Sequence, residues 1–148
     1  MVYLRDGRIF VQASDRTDLR TAGFWIAAPP VVSLDASVSA ATTGQAVLDA
    51  LARSRVDVSV PDLGADLEAP LRNAAGVRSR CALMTGTRAC SVHREEDRIR
   101  IDPLRNGGSS GDERGFSALP DSETLEAAAT ADVIGRAVLI ALEKATLG

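Results

Sequence analysis

Apolar and polar residues alternate at the start of the chain. In VYLR-DG-RIFVQA (residues 2–13), two runs of period two flank Asp6-Gly7, a dipeptide that tolerates the positive φ angles of a type I′ hairpin turn. Such a turn sets Val2 opposite Val11 and Leu4 opposite Ile9 on one face. Tyr3 and Phe10 share the other face with Arg5 and Arg8. The aliphatic face is the one expected in the core. GFWIA (23–27) and VVSL (31–34) read as two further strand pieces around Pro29 and Pro30, whose missing amide donors suit a sheet edge or a break. Phe24 and Trp25 alternate across such a strand, one toward a core and the other toward a second layer or a partner.

The period then lengthens. TTGQAVLDALARS (42–54) opens with a capping threonine and lines up Val47, Leu48, Leu51 and Ala52 on one helical stripe. DLEAPLRNAAG (66–76) predicts a short helix, with Pro70 in its first turn and Gly76 as its stop. VRSRCALM (77–84), TRACSVH (87–93) and DRIRID (97–102) predict a three-stranded meander. RNGGSSGDERG (105–115) predicts a mobile loop. TADVIGRAVLIALEKA (130–145) is apolar around more than half its girth, through Val133, Ile134, Ala137, Val138, Ala141 and Leu142, which predicts a helix deep against the sheet. The expected fold is α+β, one domain over residues 1–148. It has a mainly antiparallel sheet, made of the N-terminal hairpin and the central meander, packed with three helices.

Composition narrows the class. A chain of 148 residues that is 45% hydrophobic, with mean hydropathy +0.02, buries a core without staples. No apolar run approaches the roughly 20 residues that span a bilayer. Arg5 and Asp6 interrupt the N-terminus too early for a signal peptide, so no membrane partner and a cytoplasmic location are expected. The net charge of −3 is unevenly spread. Residues 1–89 hold nine acids and ten bases, and residues 90–148 hold eleven acids and seven bases. Between 107 and 132 stand Asp112, Glu113, Asp121, Glu123, Glu126 and Asp132 against the single base Arg114. Such a segment repels nucleic acid and suits a basic partner, or is simply a solvated loop.

Candidate chemistry is sparse. His93 is the one histidine, so any Ser-His or Cys-His pair must use it. Cys90 lies three positions away, on the opposite face of a strand. The 81, 90, 93 spacing of Cys81, Cys90 and His93 fits no common zinc motif, so no metal and no other cofactor is expected. A two-residue turn at Thr85-Gly86 would put Cys81 and Cys90 opposite each other, within disulfide reach. In a reducing compartment both thiols are expected to stay free, as small buried hydrophobes. Glu95-Glu96-Asp97 is the densest acid run and sits at a turn. GGSSG (107–111) lacks the Lys-Ser/Thr of a phosphate loop. The bases are scattered and aromatics make up only 3% of the chain, which disfavours direct nucleic-acid binding.

Taken together, GFWIAAPPVV (23–32), LDALARSRVDVSVP (48–61), PLRNAAGVRSRCALMTGTRACSV (70–92), DRIRIDPLRN (97–106), GFSALP (115–120) and ADVIGRAVLIALE (131–143) resemble a known family in order along nearly the whole chain. The family is that of the cytoplasmic immunity proteins of bacterial contact-dependent growth inhibition systems. The resemblance implies a non-enzymatic inhibitor that binds the C-terminal toxin domain delivered by a neighbouring cell. Many such toxins are nucleases, often acting on tRNA, with basic clefts. It also implies that Phe24 and Trp25 belong to the framework. The acids Asp112, Glu113, Asp121, Glu123 and Glu126, with Glu95, Glu96 and Asp97 as a second group, are the candidate partner-binding residues, because an acidic surface can stand in for phosphates in a basic cleft. Two other readings stay open, a small regulatory or adaptor domain and a carboxylate-dependent hydrolase using acids near Glu95 to Asp97.

Overall fold

The computed structural model describes residues 1–18, 24–60, 62 and 65–147. The first hairpin forms as its pattern requires. Strands β1 (Val2–Arg5) and β2 (Arg8–Arg16) pair Val2 with Val11, Tyr3 with Phe10 and Leu4 with Ile9. Asp6 and Gly7 carry φ of 47° and 73° in the turn between them. Strand β3 (Trp25–Asp35) follows as one edge strand along β2 rather than two pieces. Its pairing steps from Gln12–Val31 to Ala13–Ala28, so Pro29 and Pro30 are bulged out of the ladder. They need no amide donor there. Gly23 of the predicted strand lies outside the described residues.

Helix α1 (Ala40–Arg53) begins three residues earlier than the threonine pair suggests, because Ser39 is its cap and accepts from the Thr42 amide at 3.2 Å. Its buried stripe is Thr43, Gly44, Ala46, Val47 and Ala50, with Leu48 and Leu51 at the margin and Ala52 exposed. Helix α2 (Ala69–Ala75) starts through Pro70 and stops at Gly76, as expected.

The segment 77–84 is not a strand. Ser79 accepts from the Ala82 amide at 3.1 Å and starts the one-turn helix α3 (Arg80–Met84), so there are four helices and not three. A cap with Leu83 and Met84 adjacent in the sequence suits one helical turn, since a strand would send them to opposite faces. The meander is therefore a two-stranded hairpin, β4 (Arg88–Glu95) with β5 (Arg98–Asn106). Cys81 ends on the surface of α3, while Cys90 is buried in β4 between Val2 and Pro103. Both thiols are free, and the cross-strand placement predicted for them does not occur.

Short strands complete the sheet. β6 (Phe116–Ala118) and β7 (Glu123–Glu126) pair antiparallel with β5, and β8 (Thr146–Leu147) pairs parallel with it. The main order is β3-β2-β1-β4-β5-β6, an α+β arrangement. Helix α4 (Ala131–Lys144), capped by Thr130, lies with α1 over one face. There Val2, Ile9, Val11, Cys90, Ile99 and Ile101 meet Val47, Ile134, Val138 and Leu142. The two helices touch backbone to backbone. A Cβ on Gly44 would sit 1.8 Å from the Ala131 carbonyl oxygen, and one on Gly135 would sit 1.8 Å from that of Ala40. The opposite face is buried too, where Tyr3, Phe10, Ala89 and Leu104 pack under Leu71 of α2 and Leu83 of α3. Expecting only the aliphatic face in the core was thus incomplete.

Candidate functional site

The second face is covered along only part of its strands. Its apolar cluster stops at Phe10 and Ala89. By strand alternation the same face continues with Gln12, Ser14 and Arg16 on β2, and with Ser91, His93 and Glu95 on β4. Between these two strand ends β1 has run out. It begins at Val2, while β2 and β4 extend several residues further. Met1 fills the first gap position, exchanging backbone bonds of 3.0 Å with Gln12.

A cavity of about 470 Å³ occupies the rest of that gap. Val47, Ala50 and Leu51 of α1 line one side of it, and Ser54, Arg55 and Val56 line its far end. Asp15 holds that end in place. Its buried carboxylate accepts from the Arg55 amide at 2.9 Å, from Nε at 3.0 Å and from Nη2 at 2.6 Å. On the other side Trp25 reaches across β2 and the gap to His93, with ring centroids 5.6 Å apart. The Arg16 guanidinium lies 5.9 Å from the indole ring centre.

Trp25 is half exposed and Phe24 is 41% exposed, so neither is a core residue. Among the described residues no carboxylate lines the cavity, whose ionisable side chains apart from Tyr3 are Arg55, His93 and Arg94. Burial lowers the His93 ring below its ordinary value, against the pull of Asp102. Cys90 and His93 lie on opposite faces of β4, as the spacing predicts, and the Cys90 thiol is pushed up to about 12 by burial.

The eight candidate acids are all exposed, but the fold divides them. Glu95 ends β4, and Glu96 and Asp97 form the turn into β5. Glu126 arrives beside them from β7. Arg98 is paired with Glu95 on one side and Glu126 on the other, and the Ala127 amide donates to the Asp97 carbonyl at 2.7 Å. Glu123, opposite Ile101, and Asp121 lie further along the β7 edge. Asp112 and Glu113 sit in the loop beyond the other end of β5, roughly 25 Å away by strand rise, where Glu113 pairs with Arg105 at 3.2 Å.

The β7 segment is fastened by an acid that the sequence did not single out. Asp102 is buried and accepts from Arg100 Nε at 2.8 Å, from Ser91 Oγ at 3.2 Å and from Ser122 Oγ. Burial raises its carboxyl, but the bonds from Ser122 and Arg100 outweigh that and hold it below the usual carboxylate range.

Among the described residues no group of three or more His, Cys, Asp or Glu could hold a metal ion, and no helix is long and apolar enough to cross a membrane. No sequence pattern joined Trp25 to His93. The gap itself depends on strand lengths that no local pattern reveals.

The family model for CdiI, the CDI immunity protein, matches residues 60–145. Among curated proteins no sequence match is found. A protein of unknown function from Neisseria meningitidis has a similar fold, with TM-score 0.78 and 19% identity over 97% of this chain and 92% of that one. So does a CdiA-CT/CdiI toxin and immunity complex from Yersinia pseudotuberculosis, with TM-score 0.73 and 20% identity over 97% of this chain and 94% of that one.

Proposed function

Because this chain belongs to the CDI immunity protein family and is an immunity protein to a CDI toxin, we propose that the toxin it neutralises is a nuclease with a basic substrate cleft. The protein acts in the cytoplasm, has no catalysis of its own, and blocks the cleft by occupying it. The observation that carries this reading is the convergence of Glu95, Glu96, Asp97 and Glu126 at one exposed end of the sheet, continued along β7 by Glu123 and Asp121. Carboxylates grouped on a rigid hairpin end can take the place of phosphates opposite lysines and arginines. Their fields add over the roughly 8 Å that salt leaves unscreened.

Asp112 and Glu113 belong to a second, separate acidic site that lengthens the footprint. The Yersinia neighbour of similar fold, solved as a toxin and immunity complex, supports direct binding to a toxin domain. Co-purification of the protein with the toxin fragment encoded beside it tests the reading, together with an assay of RNA and DNA cleavage by that fragment. A stable complex that abolishes cleavage is the expected result. A toxin domain that cleaves no nucleic acid would refute the nuclease assignment.

A further inference from the structure

The cavity under Trp25 has a composition unlike the rest of the surface. In a chain with twenty acids, no carboxylate among the described residues lines it, and Arg55 and Arg94 do. Its walls are chiefly aliphatic, and its volume falls within the range of small-molecule pockets. One lining group lacks a partner among the described residues: Gln12, which also borders a smaller cavity beside Tyr3 and Leu71, is 1% exposed, and its Nε2 makes no hydrogen bond. An unmade bond on a buried amide is costly, so a bound acceptor oxygen would gain more here than on an open surface. Ser14 and Ser54 add hydroxyls to the same walls. The Trp25–His93 contact crosses the gap on one side and α1 closes the other. A continuous peptide strand would have to displace the indole to enter, whereas a compact molecule need not.

We propose that this cavity is a binding site for a small amphipathic carboxylate. Its apolar body would lie among Val11, Val47, Ala50 and Val92, and an oxygen of its head would accept from Gln12 Nε2. The positive side chains of Arg55 and Arg94 favour an anion over a neutral or cationic molecule of the same shape. Asp15 neutralises much of the Arg55 charge, which leaves Arg94 and the Met1 amino group as the positive groups at the wall. This site is independent of the toxin reading, because it is tested on the protein alone.

Trp25 is the one tryptophan of the chain, so its emission reports on the cavity directly. The experiment titrates the purified protein with octanoate, octylamine and octanol, following fluorescence and thermal midpoint. Octanoate should give a saturable change with a dissociation constant on the order of 1 mM or lower, given roughly ten heavy atoms. Octylamine should bind at least about tenfold more weakly. Gln12→Leu should weaken octanoate by roughly fivefold to tenfold, and Ser14→Phe, which fills the cavity from a half-buried position, should abolish the saturable change. Two variants at different depths keep the test alive if one misfolds.

The proposal fails if no amphiphile gives a saturable signal, or if all three act alike and neither variant matters. It also fails if the emission responds only when a toxin domain is added, which would make the cavity a seat for protein.

Discussion

The two faces of the sheet are built from the same strands and end differently. Over one face lie two helices of fourteen residues, brought into backbone contact at Gly44 and Gly135, and their apolar cluster runs from Val2 to Leu142. Over the other lie helices of seven and five residues, whose cluster stops at Phe10 and Ala89. Beyond that point the strands carry Gln12, Ser14, His93 and Trp25, a cavity, and the acidic β4–β5 turn. Helix length decides the difference. Long helices cover most of each strand, while short ones leave the strand ends uncovered.

Substitutions on the closed face should produce the largest effect. Val138→Asp or Leu142→Asp places a charge without a partner among fully buried residues, at a cost of about 4 kcal/mol. That is a large fraction of the roughly 5–15 kcal/mol by which an ordinary domain is stable. Trp25→Ala, on the open part, should cost about 2 kcal/mol, since half of the indole is already in water. Urea denaturation of the three variants measures the contrast. A Trp25 variant as unstable as Val138→Asp would erase the distinction between the two faces.

Toxin binding should show the inverse pattern. Changing Glu95, Glu96 and Glu126 to Gln should slow association by roughly fivefold to tenfold at low salt, with less effect at high salt. Changing Asp112, Glu113, Asp121 and Glu123 to Asn or Gln spreads the loss over both ends of β5, and should have a smaller effect on each. Stopped-flow kinetics on folded variants compares them. If neither set changes the rate or its salt dependence, the acidic surface is not the toxin footprint.

Thiol chemistry sharpens the contrast without a partner. Cys81 is exposed, whereas Cys90 is buried with its thiol pushed up to about 12. Iodoacetamide should modify Cys81 in the native protein and Cys90 only after denaturation, as counted by mass spectrometry. Rapid native labelling of both would show that β1 and β4 open readily beside the cavity.

Legibility in the sequence followed the same division. Where each element obeys its own period, as in the first hairpin, α2 and α4, the pattern gave the element and its partners. Where tertiary context decides, it did not. The segment 77–84 holds five apolar residues in eight, which fits a strand as well as a helix, and the Ser79 cap tipped the balance. The acids were visible as a cluster in sequence, but their division between the two ends of β5 depends on β7 pairing back along Arg98–Ile101. The cavity was invisible, because it is made by one strand being shorter than its two neighbours.

The smallest effect expected concerns His93, which links the cavity to the stability of the open part. Its ring faces Trp25 across the gap, with Arg100 opposite on β5 and Asp102 and Glu95 nearby. Burial is the largest influence and lowers its folded-state value below the ordinary 6.5, while Asp102 and Glu95 pull the other way and Arg100 assists burial. Between the lowered folded value and the unfolded one, the unfolded chain therefore binds more protons than the folded one, and stability rises with pH through that window. The contribution is complete above the unfolded value near 6.5 and is lost as pH falls toward the folded value. Carboxylates such as Asp102 lose their own contributions at lower pH, near and below 3.8, so the two ranges separate. Urea midpoints measured from pH 8 to pH 3 should decline as pH falls, partly because burial also lowers the Met1 ammonium below its ordinary 8.0, and His93→Gln should reduce the part of the decline below about 6.5 while leaving the acid limb in place. Because the chain has a single histidine, its imidazole resonance titrates without overlap. A midpoint for that resonance at or above 6.5 would show that the ring is solvated, and that Trp25 does not cover the gap in solution.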